Sequence, residues 1–539
     1  MKHFKVIFQP DGKQISARPE DTLLQAASQA GIILNTVCGG KGICKKCAVN
    51  LEPDGRQVLA CQYRVGHDLT VTVPAASRFF EQRILTEGIT GRRQIQPDMY
   101  KKYRKGDPTA AIFGVAIDIG TTTVVAKLID MTTGQCLATQ ATLNPQSRFG
   151  DDVISRISYA QTDEKLVQLH TVIMDCINQL IDRLCSQAST DANHIYEVCV
   201  VGNTTMNHLF LKLPVVQLGQ APYRAFSLDA HDVPAERFGL RMNPSGNIHT
   251  VENIAGFVGS DTTAGVLAVD IDSVQDVTLF IDIGTNGELV LNTNGHLYAA
   301  SCAAGPAFEG ARISCGSRAV EGAIEGVVLS EGDIDLTVIG NDAPRSICGS
   351  GLVDAVAVLL DLGIVDATGR FVEPRTLKGK LPPAIATRII EQDGQSGFCL
   401  TTAANEGITA ANVSDRPIVL MQKDIRELQL AKAAIRAGVK ILLKKTGIKD
   451  ADIKQVLLAG AFGNYIRPQS AVRIGLLPDV PLERIHFVGN AAVAGAEMIL
   501  ISRLCRARAG ESARKIQYVE IAHEPDFQTV FADCMSFDI

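Results

Sequence analysis

The run Val115-Ala-Ile-Asp118-Ile-Gly120-Thr121 returns later in the chain as Leu279-Phe-Ile-Asp282-Ile-Gly284-Thr285. Each copy is an apolar stretch of strand length that ends in an aspartate and a Gly-Thr turn, and each is followed by a second apolar run, Val124–Ile129 after the first and Glu288–Leu291 after the second. The two aspartates are separated by the length of a domain half rather than of a short solenoid repeat. The repeat therefore predicts two related α/β lobes, each opening with strand, turn and return strand, the second starting near residue 275.

The turns have the composition of phosphate sites. Gly120 with Thr121, Thr122 and Thr123, and Gly284 with Thr285, Asn286 and Gly287, offer hydroxyls and closely spaced backbone N–H groups to phosphate oxygens. Asp118 and Asp282, at the strand ends, suit a Mg2+ ion held through waters, because magnesium takes few carboxylates and keeps water. The chain has no G-x-x-x-x-G-K-[ST] loop, so its phosphate grip is of another kind. A third apolar strand, Val456–Ala459, runs into Gly460-Ala461-Phe462-Gly463-Asn464, a glycine turn able to pack on an adenine and ribose. Gly202-Asn203-Thr204-Thr205 follows the strand Val198–Val201 and could face the same cleft, and Ile347-Cys-Gly349-Ser-Gly351 starts a helix that reads as a lobe connector. Singly, each reads as a tight turn; together and in this order they predict ATP binding. Glu288 could orient an attacking water, or be a solvated strand residue.

Residues 1–75 have a different texture. Phe4, Val6 and Phe8 alternate as a strand, Thr22–Ala30 reads as a short helix, and Leu69, Val71 and Val73 alternate again. Two edge strands, a helix and a cysteine-rich loop suit a β-grasp ferredoxin. Cys38, Cys44 and Cys47 lie in one glycine-rich loop, with Cys61 further on, a C-x5-C-x2-C-x13-C spacing that nearly matches the plant-type 2Fe-2S pattern. Gly39, Gly40 and Gly42 let the backbone curl and aim N–H groups at the cluster sulfurs, while Lys41, Lys45 and Lys46 offset charge at the rim. A structural zinc site is the competing reading of C-x2-C, but zinc usually takes two separated knuckles. Cys302, Cys315 and Cys348 read as buried thiols, with a cluster shared across a dimer as the alternative; Cys505 and Cys534 form no motif.

Composition sets the limits. A chain of 539 residues exceeds one core. A net charge of -6 gives no general attraction to nucleic acid or anionic membrane, and there is no apolar run of spanning length. Met1–Gly12 reads as a charged strand rather than a signal peptide, so a cytoplasmic location is expected, where 14 cysteines favour metal binding over disulfides. Residues 76–108, with their Lys/Arg pairs, read as a solvated linker or a docking surface for an acidic partner. Residues 109–539 hold the two-lobed domain, with a long amphipathic helix from Lys423 to Lys445 stopped by Gly447. The tail beyond about 515 reads as strand and loop.

The order of phosphate turn, second phosphate turn, connector helix and adenosine turn resembles the acetate and sugar kinase/chaperone ATPase/actin superfamily. Its fusion to a 2Fe-2S ferredoxin domain resembles the reductive activators of corrinoid proteins, over residues 1–75 and 109 to about 510. The stretches that carry the resemblance are Cys38–Cys47 with Cys61, Val115–Thr123, Val200–Thr205, Phe280–Glu288, Ser301–Gly310, Cys348–Asp354 and Leu458–Asn464. The resemblance implies ATP-dependent reduction of Co(II) to Co(I) in a corrinoid protein of a methyltransferase system, with an external low-potential electron donor; the charge and hydropathy above leave no nucleic acid or membrane partner expected. It leaves a homodimer open. Longer members carry an extra domain for which 76–108 is too short, and the 4Fe-4S sites some place near the C-terminus have no counterpart here. Three other readings stay open: an activator of another low-potential enzyme such as a 2-hydroxyacyl-CoA dehydratase, a small-molecule kinase with an appended electron carrier, and a nucleotide-binding redox sensor.

Overall fold

Alternation in Phe4–Gln9 turns Val6 and Phe8 inward, and Leu69–Thr72 does the same with Leu69 and Val71. In the computed structural model these strands are not edges. They pair with each other in parallel, Val6 beside Leu69 and Phe8 beside Val71, inside a five-stranded sheet ordered Lys13–Ala17, Phe4–Gln9, Leu69–Thr72, Ala48–Glu52, Arg56–Leu59. The helix Leu23–Gln29 adds Leu23, Ala26 and Ala27 to this core. The two ends of the segment can meet in the middle because a parallel pair needs a long connection, and here it carries the helix and the hairpin of Ala48–Glu52 with Arg56–Leu59.

The structure describes residues 3–9, 12–19, 21–30, 32, 34, 42, 47–74, 111–150, 152–310, 312–341, 343–392, 394–401, 417–460 and 465–537. Cys38, Cys44, the 76–108 stretch and Ala461, Phe462, Gly463 and Asn464 lie outside these.

The sequence repeat appears as two six-stranded sheets that share five strands in like order, the sixth lying at opposite edges. The first runs His231–Pro234, Asn247–Thr250, Ile195–Gly202, Phe113–Ile119, Thr123–Asp130, Cys136–Leu143; the second runs Ile485–Gly489, Gln455–Ala459, Thr278–Ile283, Gly287–Thr293, His296–Cys302, Gln517–Tyr518. In each, the repeated strand forms an antiparallel hairpin on one side and pairs in parallel on the other. Asp118 stands beside Val201, and Asp282 beside Ala459.

Two helices join the lobes. Ser260–Ala268 sends Val266 and Ala268 into the core under the second sheet, and Ala491–Ile501 sends Ala492, Ala496 and Ile499 into the core under the first. They cross so closely that a Cβ on Gly495 would lie 2.0 Å from the Ala264 carbonyl oxygen. The expected connector, the helix Gly349–Asp361, packs instead inside the second lobe, against Ala323–Ser330 and Pro468–Arg473. Its apolar residues on nearly every side explain this: Leu352, Val353, Val356 and Leu359 are all buried. The long helix runs Gln422–Thr446 as its periodicity predicts, and Gly447 caps it. The tail adds a helix, Phe527–Asp533, beyond the expected strand. Among the described residues no helix is long and apolar enough to cross a membrane.

Candidate functional site

The register that matches the two sheets also brings their turns to one cleft of about 390 Å³. It is lined by Asp118, Gly120, Thr121, Thr122, Thr123 and Asn203 from the first lobe, and by Asp282, Gly284, Thr285, Asn286, Glu288, Gly349 and Gly460 from the second. Gly202 lies at the foot of the same turn as Asn203, and Gly287 begins the return strand behind Asn286. Thr204 is turned away from the cleft, buried and donating to the Ala255 carbonyl at 2.6 Å. The two threonine turns touch: Thr122 Oγ1 and Thr285 Oγ1 are 3.2 Å apart.

The first turn is scaffolded by polar side chains of its own lobe. Arg156, fully buried, donates to the Thr121 carbonyl at 2.6 Å; Asn144 donates to the Gly120 carbonyl at 2.8 Å; Asn203 donates to Thr121 Oγ1 at 2.9 Å. Asn203 also caps the helix Thr204–Leu211, accepting from the Met206 N–H, so the cap and the turn are one unit. The second turn closes on itself, Gly284 N–H to Asn286 carbonyl at 2.9 Å, and is packed from behind where the Cys302 thiol donates to the Gly287 carbonyl.

Three polar residues beyond the expected set tie the elements of the cleft together. Glu309 accepts from Thr285 Oγ1 at 2.6 Å and from Thr122 Oγ1 at 3.2 Å, bridging both turns. Asp261 stands in the first turn of one connecting helix, and Asn490 caps the other and donates to Asp118 at 3.2 Å. For Asn490 the sequence did hold a signal: Val201-Gly202-Asn203 recurs as Val488-Gly489-Asn490, both times at a strand end. Glu309 sits in the Ser301–Gly310 stretch that carries the family resemblance, but without a role attached. Asp261 follows no repeated pattern.

Asp118, Asp261, Asp282 and Glu288 thus converge, each partly open to the cleft. Burial, then the Asp261 charge, push Asp118 up to about 8 against the Asn490 hydrogen bond, and the same two causes push Asp282 up to about 7. Asp261 is raised by burial, and Glu288 is raised by burial and by the charges of Asp261 and Asp282. Carboxylates crowded this way retain protons until a cation compensates them; among the described residues no three of them are placed to grip a metal ion directly, so a hard divalent ion would have to be held largely through waters.

In the N-terminal domain the Sγ atoms of Cys47 and Cys61 are 3.3 Å apart, and both side chains are buried. That is too long for the bond of about 2.05 Å in a disulfide and places the two thiols side by side. Gly42 has φ +78°, and a Cβ there would press to 3.0 Å on Gln62, whose amide lies 3.6 Å from Cys61 Sγ.

A paired phosphate cleft between duplicated lobes, beside a ferredoxin fold, defines the class: a two-lobed actin/sugar-kinase-type nucleotide-binding protein that carries an iron–sulfur domain. Family models match in the same order, the "2Fe-2S iron-sulfur cluster binding domain" over 6–66, the "RACo middle region" over 113–274 and the "C-terminal domain of RACo the ASKHA domain" over 276–538. With 34% identity to the corrinoid activation enzyme RamQ of Eubacterium limosum, over 98% of this chain and 99% of that one, the chain belongs to the family of ferredoxin-fused reductive activators of corrinoid proteins. The [Co(II) methylated amine-specific corrinoid protein] reductase of Methanosarcina barkeri is 27% identical over 75% of this chain and 73% of its own length. The solved structure of a reductive activator for corrinoid, iron-sulfur protein superposes with a TM-score of 0.72 at 32% identity, covering 99% of this chain and 98% of that chain.

Proposed function

We propose that this protein returns the cobalt of a corrinoid protein from Co(II) to Co(I) with one electron from its 2Fe-2S cluster, and that ATP in the cleft drives the transfer. The observation that carries this reading is the union, in one chain, of a buried cysteine pair in a ferredoxin sheet with two phosphate turns that meet at a carboxylate cluster. The cluster, ligated by Cys38, Cys44, Cys47 and Cys61, supplies one-electron chemistry at low potential. Among the described residues, Cys47 and Cys61 are buried, and the Gln62 side-chain amide donates toward Cys61 Sγ at 3.6 Å. A nucleotide can shift the complex with the corrinoid protein only by its different affinity for the states it links.

Within the cleft we assign Thr121, Thr122, Thr123, Thr285 and Asn286, with the glycine backbones at 120, 284, 287 and 349, to the phosphates, and Asn203 to holding the first turn; Gly202 and Thr204 act behind it, through Ser260 and the Ala255 carbonyl. Gly460, Ala461, Phe462, Gly463 and Asn464 are assigned to the adenosine. Asp118 and Asp282 would hold Mg2+, and Glu288 would orient the attacking water. A low-potential donor outside this chain would reload the cluster. The organisation we propose is a ferredoxin domain at 1–75, a linker at 76–108 and the two-lobed domain at 109–539, acting in the cytoplasm, with a homodimer to be tested by sedimentation.

The test is anaerobic. Reduced protein is mixed with a Co(II) corrinoid protein, and Co(I) formation is followed by absorbance with and without MgATP. Nucleotide-dependent Co(I) is expected, and Cys44→Ala and Asp282→Ala should each abolish it. A reducible cluster and ATP turnover with no Co(I) from any corrinoid partner would redirect the electron to another acceptor.

A further inference from the structure

The cleft is built to repel its own ligand. Five carboxylates line it, Asp118, Asp261, Asp282, Glu288 and Glu309, and one of them already occupies hydroxyls that a phosphate needs: Glu309 accepts from both Thr122 and Thr285. A divalent cation offsets part of that charge, and the chain has no P-loop lysine to offset the rest. Among the described residues one cationic side chain lines the cleft, Arg318.

Arg318 is exposed, and its guanidinium has no hydrogen bond, ion pair or ring contact with any described residue, although five carboxylates share its cleft. Its position is nevertheless fixed from below. Ser317 donates its N–H to the Ile347 carbonyl at 2.9 Å, and its hydroxyl meets that of Ser346 at 2.6 Å. Gly310 packs against the same residue, since a Cβ there would lie 2.2 Å from the Ser317 carbonyl oxygen. Glu309 and Arg318 therefore leave one pinned stem as neighbours, the first holding the phosphate-turn hydroxyls and the second unpaired.

We infer that Arg318 is the cationic contact for the phosphate chain of the nucleotide and a determinant of its preference for the triphosphate. This rests on the nucleotide reading above and adds the residue that recognises the ligand's charge. Once a phosphate takes the threonine hydroxyls from Glu309, a guanidinium on the same stem can pair with its oxygens in fork geometry, which a lysine reproduces only as a point charge.

The test is calorimetric titration of MgATP, MgADP and adenosine into the full chain and into Arg318→Ala and Arg318→Lys. Because Arg318 is exposed and unpaired, both variants should fold, which circular dichroism checks. The expected result is a loss of at least about tenfold in ATP affinity for Arg318→Ala, the scale of one charge-assisted hydrogen bond, with a smaller loss for ADP, none for adenosine and partial recovery in Arg318→Lys. Equal losses for ATP and adenosine would assign Arg318 to the base and overturn the inference, as would an unchanged ATP affinity. A wild-type chain that binds none of the three would sink the nucleotide reading itself, and this assignment with it.

Discussion

The two lobes share a frame and differ in what they hang on it. In both, the strand paired in parallel with the repeated strand runs to a glycine, the last residue of the strand in one lobe and the next one after it in the other, that cannot carry a side chain. A Cβ on Gly202 would lie 2.6 Å from the Ile119 carbonyl oxygen, and one on Gly460 would lie 2.5 Å from that of Ile283, the residue after the aspartate each time. Across the hairpin the lobes part. Asp118 faces Val125, whereas Asp282 faces Glu288. The first lobe holds its turn with the side chains of Arg156, Asn144 and Asn203, and the second turns two further carboxylates, Glu288 and Glu309, to the cleft. Duplication gives two like turns, and a hairpin one residue shorter, with Glu288 and Glu309 beside it, makes the cleft chemically one-sided.

Making the second lobe like the first is the strongest way to break this contrast. Glu288→Val should lower ATP turnover about 100-fold or more if Glu288 orients the water. The same change should raise unfolding free energy by about 1 kcal/mol, because a crowded buried acid is exchanged for a strand-forming apolar residue. Turnover assays and denaturant melts on one preparation check both, and unchanged turnover removes Glu288 from the chemistry.

Acid should act on the first lobe through His208. It is fully buried, with Nδ1 donating to the Thr204 carbonyl at 2.8 Å and Nε2 accepting from the N–H groups of Phe226 and Ser227 at 3.1 and 3.3 Å, a pattern that only the neutral ring satisfies. Burial pushes its pKa down to about 4. The unfolded chain takes up this proton near 6.5 and the folded chain does not, so stability is complete above about pH 6.5 and falls, by up to about 3 kcal/mol, as pH drops toward 4. Unfolding measured across that range should lose this slope in His208→Asn; a slope that persists assigns the acid sensitivity elsewhere.

Gly202→Ala and Gly460→Ala compare the matched glycines directly. Both should cost about 2 kcal/mol for the backbone clash, and Gly460→Ala about 1 kcal/mol more, because Gly460 has φ +90° and a Cβ there also meets Asp282 Oδ1 at 2.6 Å. Equal melting shifts would contradict the ranking. The smallest effect is expected from Asn203→Ala, about 1 kcal/mol for the lost helix cap, with a rise in KM for ATP as Thr121 loses its partner.

What the sequence disclosed and what it hid follow one physical division. The lobes were legible because a strand that ends in Asp-Ile-Gly-Thr needs only its neighbours in the chain to be recognised, and the long helix was legible from its period and Gly447. The ferredoxin strands were found but set at the sheet's edges, since pairing order is decided by contacts far apart in the chain. Asp261, Glu309 and Asn490 were missed as site residues for the same reason: Asn490 reaches Asp118 across 372 positions. Gly349 lines the cleft, yet its helix is apolar on nearly every side and so belongs inside one lobe rather than between two.

The crossing at Gly495 and Ala264 has a mechanical consequence. Asp261 lies three residues from that crossing and Asn490 five, about 4.5 and 7.5 Å along their helices. These are short lever arms. A rotation of about 10° around the crossing would carry either working end by only ~1 Å, while the outer strands of both sheets, much further from the fulcrum, would travel several times as far. The gearing favours registration over reach: the rims of the lobes can swing while the carboxylates at the cleft floor stay in step.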